Sequence, residues 1–194
     1  MSMERGANPG LDLAEFVGRR TLIVGEVNSG KTTFTQGILD GLCGEGFGPR
    51  ILVLDLAPEI PEEIAARRGL SGVGGRLRPP QNRDLIYVWA RPRPPRLSAS
   101  TDEEAMAMAQ RNLESMEGLF RAAAWEGRDI VILNDVSLYL QAGSAGRLTR
   151  WIRSASTIVA NGYYGEKLGQ GLLSERERAE MEALMGFFDR VIRL

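Results

Sequence analysis

Four short runs constrain this chain more than any other feature: TLIV at 21–24, ILVL at 51–54, IVIL at 130–133 and TIVA at 157–160. Each is aliphatic or β-branched throughout instead of alternating with polar residues, the pattern of strands covered on both faces of a parallel sheet. Tyr87, Val88 and Trp89 read as a further strand, and Arg190 to Leu194 as a final edge strand. Helical patterns lie between them. Phe34, Ile38, Leu39 and Leu42 share one helical face that stops at Gly44 and Gly46. The clearest helix runs from Asp102 to Trp125, where Thr101 and Glu104 have capping-box spacing and Met106, Ala109, Leu113, Met116, Phe120 and Ala123 recur by threes and fours. Its methionines read as core packing. Ser174 and Glu177 repeat the capping spacing ahead of a last helix with Leu184 and Met185. Strands separated by helices predict an α/β fold, a doubly wound, mainly parallel sheet with helices on both faces.

Between the first strand and the first helix lies Gly25-Glu26-Val27-Asn28-Ser29-Gly30-Lys31-Thr32, which satisfies G-x-x-x-x-G-K-T at every constrained position and in the required strand-loop-helix context. Such a loop cradles phosphates. Gly25 allows a sharp exit from the strand, and Gly30 lets backbone amides approach phosphate oxygens without a Cβ in the way. Lys31 is placed to meet the β- and γ-phosphates, Thr32 to offer its hydroxyl to Mg²⁺, and Thr33 to reach the α-phosphate, with the helix N-terminus adding partial positive charge. The expected cofactors are ATP and Mg²⁺. ATP is favoured over GTP because no N-K-x-D guanine-recognition run occurs.

Two acids compete for the metal. IVIL is followed by Asn134 and Asp135, the place where P-loop ATPases of the RecA-like type carry an acidic pair, and this resemblance implies a RecA-like P-loop NTPase in which Asp135 orients magnesium. Asp55 ends the ILVL strand in LVLDLAPE, which resembles a segment of the ParA and MinD-like ATPases whose acid serves the active site, although Glu26 stands where that family has a signature lysine. Asp135 is favoured and Asp55 kept as the alternative. Asn161, at the end of TIVA, is a candidate γ-phosphate sensor or a turn cap, since ligands gather at strand C-termini in open α/β sheets. The glycine-rich NGYYGEKLGQG that follows reads as a lid or as a flexible loop.

Composition narrows the chemistry. The 194 residues fit one nucleotide-binding domain spanning the chain, with 1–10 expected to be disordered. Arginines alternate with prolines between Arg76 and Arg96, predicting a Pro/Arg-rich surface loop in which Arg91, Arg93 and Arg96 are solvated or face a phosphate or acidic partner. Basic and acidic side chains nearly cancel, 24 against 25, so no global field attracts nucleic acid or a membrane surface. No basic stripe with interleaved aromatics points to nucleic acid, although Trp89 beside Arg91 offers a stacking surface. The chain has no histidine and a single cysteine, Cys43, which excludes an internal disulfide and leaves chemistry to Asp, Glu, Lys, Arg, Tyr and the backbone. No stretch reaches the roughly 20 apolar residues that span a bilayer, and a cytoplasmic protein is expected.

The order of phosphate loop, ILVLDLAPEIP, YVWARPRPPRLSAST, long amphipathic helix, DIVILNDVSLYL, TIVANGYY and FDRVIRL resembles the layout of P-loop ATP:corrinoid adenosyltransferases, with Trp89 and Asn134-Asp135 in comparable places. That resemblance implies adenosyl transfer from ATP to a reduced corrinoid. The expected function is thus a Mg²⁺-dependent ATPase or ATP-dependent transferase with Lys31 and Asp135 as catalytic groups. The alternatives are a nucleotide-gated interaction protein with weak hydrolysis, an adenosyltransferase-like enzyme, or a small-molecule kinase with Arg176 and Arg178 as lid candidates. The second substrate or protein partner is open, and self-association into a homo-oligomer is compatible with the class.

Overall fold

The computed structural model describes residues 11–58, 75–81, 84–168 and 171–194. The start at 1–10 lies outside these, as do two residues each of the Pro/Arg-rich segment and of the glycine-rich stretch after Asn161. The described elements follow in the order β1 (Arg20–Gly25), α1 (Lys31–Gly44), β2 (Ile51–Asp55), β3 (Ile86–Trp89), α2 (Pro95–Ser98), α3 (Asp102–Ala122), β4 (Ile130–Asn134), α4 (Ser137–Leu140), α5 (Ala145–Ile152), β5 (Thr157–Tyr163), α6 (Leu172–Met185) and β6 (Arg190–Arg193). All six strands pair in parallel, in the order β3-β2-β4-β5-β1-β6. The loop-bearing strand β1 therefore lies between β5 and the edge strand β6, and β5 separates it from β4.

The apolar runs are apolar because successive residues feed two different cores. Leu22, Val24, Leu52, Leu54, Val131, Leu133, Ile158 and Ala160 turn to one face, where they meet side chains of α3 to α6. Ile23, Ile51, Val53, Ile130, Ile132 and Val159 turn to the other and pack on Ile38, Leu39 and Leu42 of α1. A strand with helices on both sides has no solvent face to make polar. Met116 is buried in the first core, as its spacing predicted. Phe120 is centred there too, with ring centroids 5.8 Å from both Tyr139 and Trp151.

Capping chemistry explains one helix start and corrects another. Thr101 Oγ1 accepts from Glu104 N at 3.2 Å, and the Glu104 carboxylate returns to Ser100 N at 2.8 Å, so α3 begins as its spacing predicts. Helix α6 instead starts at Leu172 after Gly171, so Ser174 and Glu177 lie inside it and do not form a capping box. No described helix is long and apolar enough to cross a membrane.

Truncation of Phe120 tests the first core: Phe120→Ala should cost about 3–5 kcal/mol through lost burial and the cavity left behind. The check is the urea midpoint at unchanged denaturant dependence.

Candidate functional site

The segment between β1 and α1 takes its shape from two left-handed residues, Asn28 at φ 61° and Gly30 at φ 90°. Glycine adopts that conformation freely and asparagine is among the residues that tolerate it. Gly30 then precedes α1 without any side-chain cap, and the first helical bond runs from Phe34 N to Gly30 O at 2.9 Å. The amides of residues 31–33 thus come before the helical ladder, an end of the helix that favours anions. Lys31 Nζ donates to Glu26 O within its own loop and approaches Ser29 Oγ at 3.4 Å. Burial pulls the Lys31 pKa down, against the opposing charges of Asp135 and Glu26.

A cavity of about 250 Å³ opens above this helix end and is lined by Val27 to Thr33, by Asp135 and Asn161, and by Arg96, Gln141 and Tyr163. Asp135 reaches it through backbone strain. Its φ is 60°, the left-handed region that a few side chains such as Asp tolerate. The kink stops β4 and starts the chain toward α4. Asn161 Oδ1 accepts from Asp135 N at 2.9 Å and so fixes the kink, while Ser137 Oγ donates to Asp135 Oδ1. Burial raises the Asp135 pKa, and the Ser137 hydroxyl and Lys31 charge oppose it.

Asp55 occupies a different environment. It is fully buried, and its carboxylate accepts four hydrogen bonds: from Asn134 Nδ2 at 2.8 Å, Ala57 N at 3.1 Å, Leu77 N at 2.8 Å and the Tyr87 hydroxyl at 2.8 Å. It does not line the cavity. Burial, then this carboxylate, push the Tyr87 phenol pKa upward. Asn134 also accepts from Asn161 Nδ2 at 2.9 Å, and the same Nδ2 donates to Thr35 Oγ1 at 2.8 Å. Thr35 in turn donates to Lys31 O at 2.9 Å. A continuous chain of buried hydrogen bonds thus ties α1, the helix after the glycine-rich loop, to β5, β4, β2 and β3. In sequence, Asn134 reads as a weakened acid. In the structure it is the donor that Asp55 requires, a role no ionised carboxylate can fill.

Glu26, at the first variable position of the loop, holds the β5–α6 connection. Its carboxylate accepts from Glu166 N at 2.6 Å. Burial works against its ionised form, but backbone donors at 166, 27 and 167 win and keep its pKa low. A Cβ at Gly165 would stand 2.3 Å from the Glu26 carboxyl carbon, so a larger residue there would displace that carboxylate. Tyr163 accepts from Leu168 N at 3.0 Å, so this connection is fastened at Glu166 and at Leu168 beside the cavity. Arg178 donates to Gly165 O at 3.0 Å and Arg176 to Ala142 O at 2.8 Å, and neither lines the cavity.

The Pro/Arg-rich segment divides between its two readings, with Arg91 and Arg93 solvated and Arg96 turned to an acidic partner. Pro92, Pro94 and Pro95 are buried while Arg91 and Arg93 are exposed. The doubled proline breaks that alternation as the chain turns into α2, so Arg96 faces inward. Asn112 of α3 pins the segment, accepting from Arg93 N at 3.1 Å and donating to Arg93 O at 2.7 Å. Arg96 meets Glu177 at 2.9 Å and donates to Ser174 Oγ at 3.2 Å. Burial raises the Glu177 pKa to about 7 although Arg96 and Gln141 oppose it. Sequence reasoning missed this cluster, because Ser174 and Glu177 have the spacing of a helix cap. Trp89 donates to Ala57 O at 3.0 Å, and Arg76 and Arg91 approach its ring at 3.8 Å and 5.0 Å.

The all-parallel order β3-β2-β4-β5-β1-β6, with helices on both faces and a glycine-rich loop running from β1 into α1, is a fold of the RecA-like kind. A solved structure supports this assignment: the crystal structure of flagellar accessory protein FlaH from Methanocaldococcus jannaschii matches with a TM-score of 0.52 at 12% identity, over 99% of this chain and 78% of that one. The likeness is one of fold. No family model matches the chain, and no curated protein matches its sequence.

Two substitutions test the electrostatics. Asn134→Asp sets a second buried carboxylate against Asp55 and should cost about 3 kcal/mol at neutral pH. Burial and repulsion raise the folded-state pKa of the introduced carboxyl group, so the loss should shrink as pH falls toward about 5, read from urea midpoints at each pH. Glu177 retains its proton when folded up to about pH 7 but releases it near 4.5 when unfolded, so its contribution to stability falls as pH rises through that window. Glu177→Gln should flatten the stability profile there and nowhere else.

Proposed function

We propose that this chain binds ATP with Mg²⁺ at the α1 cavity and hydrolyses it slowly, acting as a nucleotide-gated protein. One observation carries the reading: Lys31, Thr32 and Asp135, from two distant parts of the sequence, line one cavity at the N-terminus of α1. These groups suit a Mg²⁺-triphosphate. Lys31 supplies a point charge for the β- and γ-phosphates and the helix end adds amides. Thr32 and Asp135 supply a hydroxyl and a carboxylate of the oxygen type that Mg²⁺ prefers, and the metal would neutralise phosphate charge when bound. Asn161, which fixes the Asp135 backbone, positions that carboxylate. Asp55, saturated by four donors, supports the sheet end behind the site.

Slow turnover follows from the acid count. Asp135 is the sole carboxylate lining the cavity among the described residues, and Ser137 already donates to it. With Asn134 committed to Asp55, the described residues place no second carboxylate in the cavity beside Asp135 to orient an attacking water. The fastened β5–α6 connection beside the loop is the element through which nucleotide state reaches a partner.

The test is Mg²⁺-dependent ATP binding and turnover on the purified chain. Lys31→Ala should weaken ATP binding at least about tenfold by removing a charge-assisted contact. Asp135→Asn keeps a residue that tolerates the left-handed backbone and should abolish the Mg²⁺ dependence, whereas Asp55→Asn should lower stability and leave that dependence in place. Unchanged ATP affinity in Lys31→Ala would sink the reading. Fast turnover, or turnover appearing only with a second substrate such as reduced cobalamin, would make the protein an enzyme of the expected ATPase or transferase kind.

A further inference from the structure

We propose that Arg96 is the γ-phosphate-sensing residue of this site: it leaves Glu177 of α6 for the terminal phosphate of ATP, and Glu177 then pairs with Gln141, so that the nucleotide state is written into the contact between α2 and α6. The inference rests on the ATP-binding reading above and assigns the residue that separates triphosphate from diphosphate.

Position is the first argument. Arg96 and Tyr163 form a wall shared by two depressions, the cavity that holds Lys31, Thr32 and Asp135 and a second one bounded by Glu177 and Arg178. The guanidinium stands on that wall 2.9 Å from the Glu177 carboxylate, and 5.8 Å from the centre of the Tyr163 ring. Arg96 thus lines both depressions, whereas Arg91 and Arg93 are exposed. Its backbone is held by the two prolines and the Asn112 staple, so the side chain alone moves. A planar guanidinium suits either partner, since carboxylate and phosphate present the same pair of oxygens.

The second argument is what remains behind. Glu177 is almost fully buried, and an unpaired carboxylate there is costly. Arg96 faces it from α2, Gln141 from the end of α4, Asp135 from the β4–α4 turn, Tyr163 from β5 and Ser174 from its own helix. Arg178, which bounds the same depression, is engaged by Gly165 O and Glu166; with Arg96 gone, the charge left in that set is Asp135, and Glu177 takes up a proton. The structure already holds the acceptor for it. Gln141 Nε2 donates to Glu177 Oε2 at 2.8 Å, while Gln141 Oε1 is buried and has no partner among the described residues. A protonated Glu177 donates to that oxygen and closes a reciprocal acid–amide pair. The orphaned oxygen is thus the mark of a second state in which Glu177 is neutral. Without a γ-phosphate nothing draws Arg96 away, so ADP leaves the Arg96–Glu177 pair intact.

Calorimetric titration of the full chain with Mg-ATP and Mg-ADP, each in two buffers of different ionisation enthalpy at about pH 7.5, reads both halves of the proposal. Expected are net proton uptake with ATP and none with ADP. Arg96→Gln should weaken ATP about tenfold and leave ADP unchanged, the scale of one charge-assisted contact. Glu177→Gln should abolish the uptake and tighten ATP, because the competing carboxylate is gone. The Arg96→Gln, Glu177→Gln double variant leaves no unpaired buried charge, folds without that penalty, and should bind ATP and ADP with converging affinities. Wild-type ATP binding without uptake, or equal losses for ATP and ADP in the Arg96 variants, overturns the inference while leaving the ATP site standing. A wild type that binds neither nucleotide overturns both.

Discussion

The hydrogen bonds from Asn134 to Asp55 and from Asn161 to Asn134, 2.8 and 2.9 Å long, hold the working end of this sheet together. Three polar side chains, the last residues of β2 and β4 and Asn161 within β5, lie inside an apolar core, and each is stable there only because the others complete it. The chain continues through Thr35 into the first turn of α1 and through the Tyr87 hydroxyl into β3. It also sets the site, because the free oxygen of Asn161 holds the left-handed turn that places Asp135 in the cavity. Loss of any member leaves a buried donor or acceptor open and loosens both the sheet end and the carboxylate.

Around that frame the cavity is assembled from elements with little sequence proximity. The phosphate-type loop contributes cation and amides, the β4–α4 turn contributes the acid, and α2 contributes an arginine whose direction is set by a doubled proline. The last of these links the site to α6 through a buried ion pair. Such a pair adds little net stability, since desolvation offsets much of its attraction. It suits a contact made to be exchanged.

Much of the fold was legible in the chain. Runs without alternation mean strands without a wet face, and all six predicted strands form one parallel sheet. The start of α3 followed from Thr101 and Glu104. The loop Gly25 to Thr32 marked the site because its glycines and lysine act within eight consecutive residues. What failed to show was long-range polar chemistry. Asn134 looked like an acid lost, Ser174 and Glu177 looked like a cap, and the proline-arginine run looked like solvent-facing loop. In each case local spacing was compatible with a common local device, and the true partners lay 19 or more residues away.

The sequence by itself determined the class of fold, the position of the phosphate-type loop and the candidate acids, since periodicity and short motifs depend on neighbours a few residues apart. Only the tertiary structure set the two acids in different surroundings, enclosing Asp55 among four described donors and turning Asp135 into the cavity. Only it brought Arg96 to Glu177. Burial and hydrogen-bond saturation are properties of a packed neighbourhood, and a residue's spacing along the chain carries no record of which distant groups will enclose it.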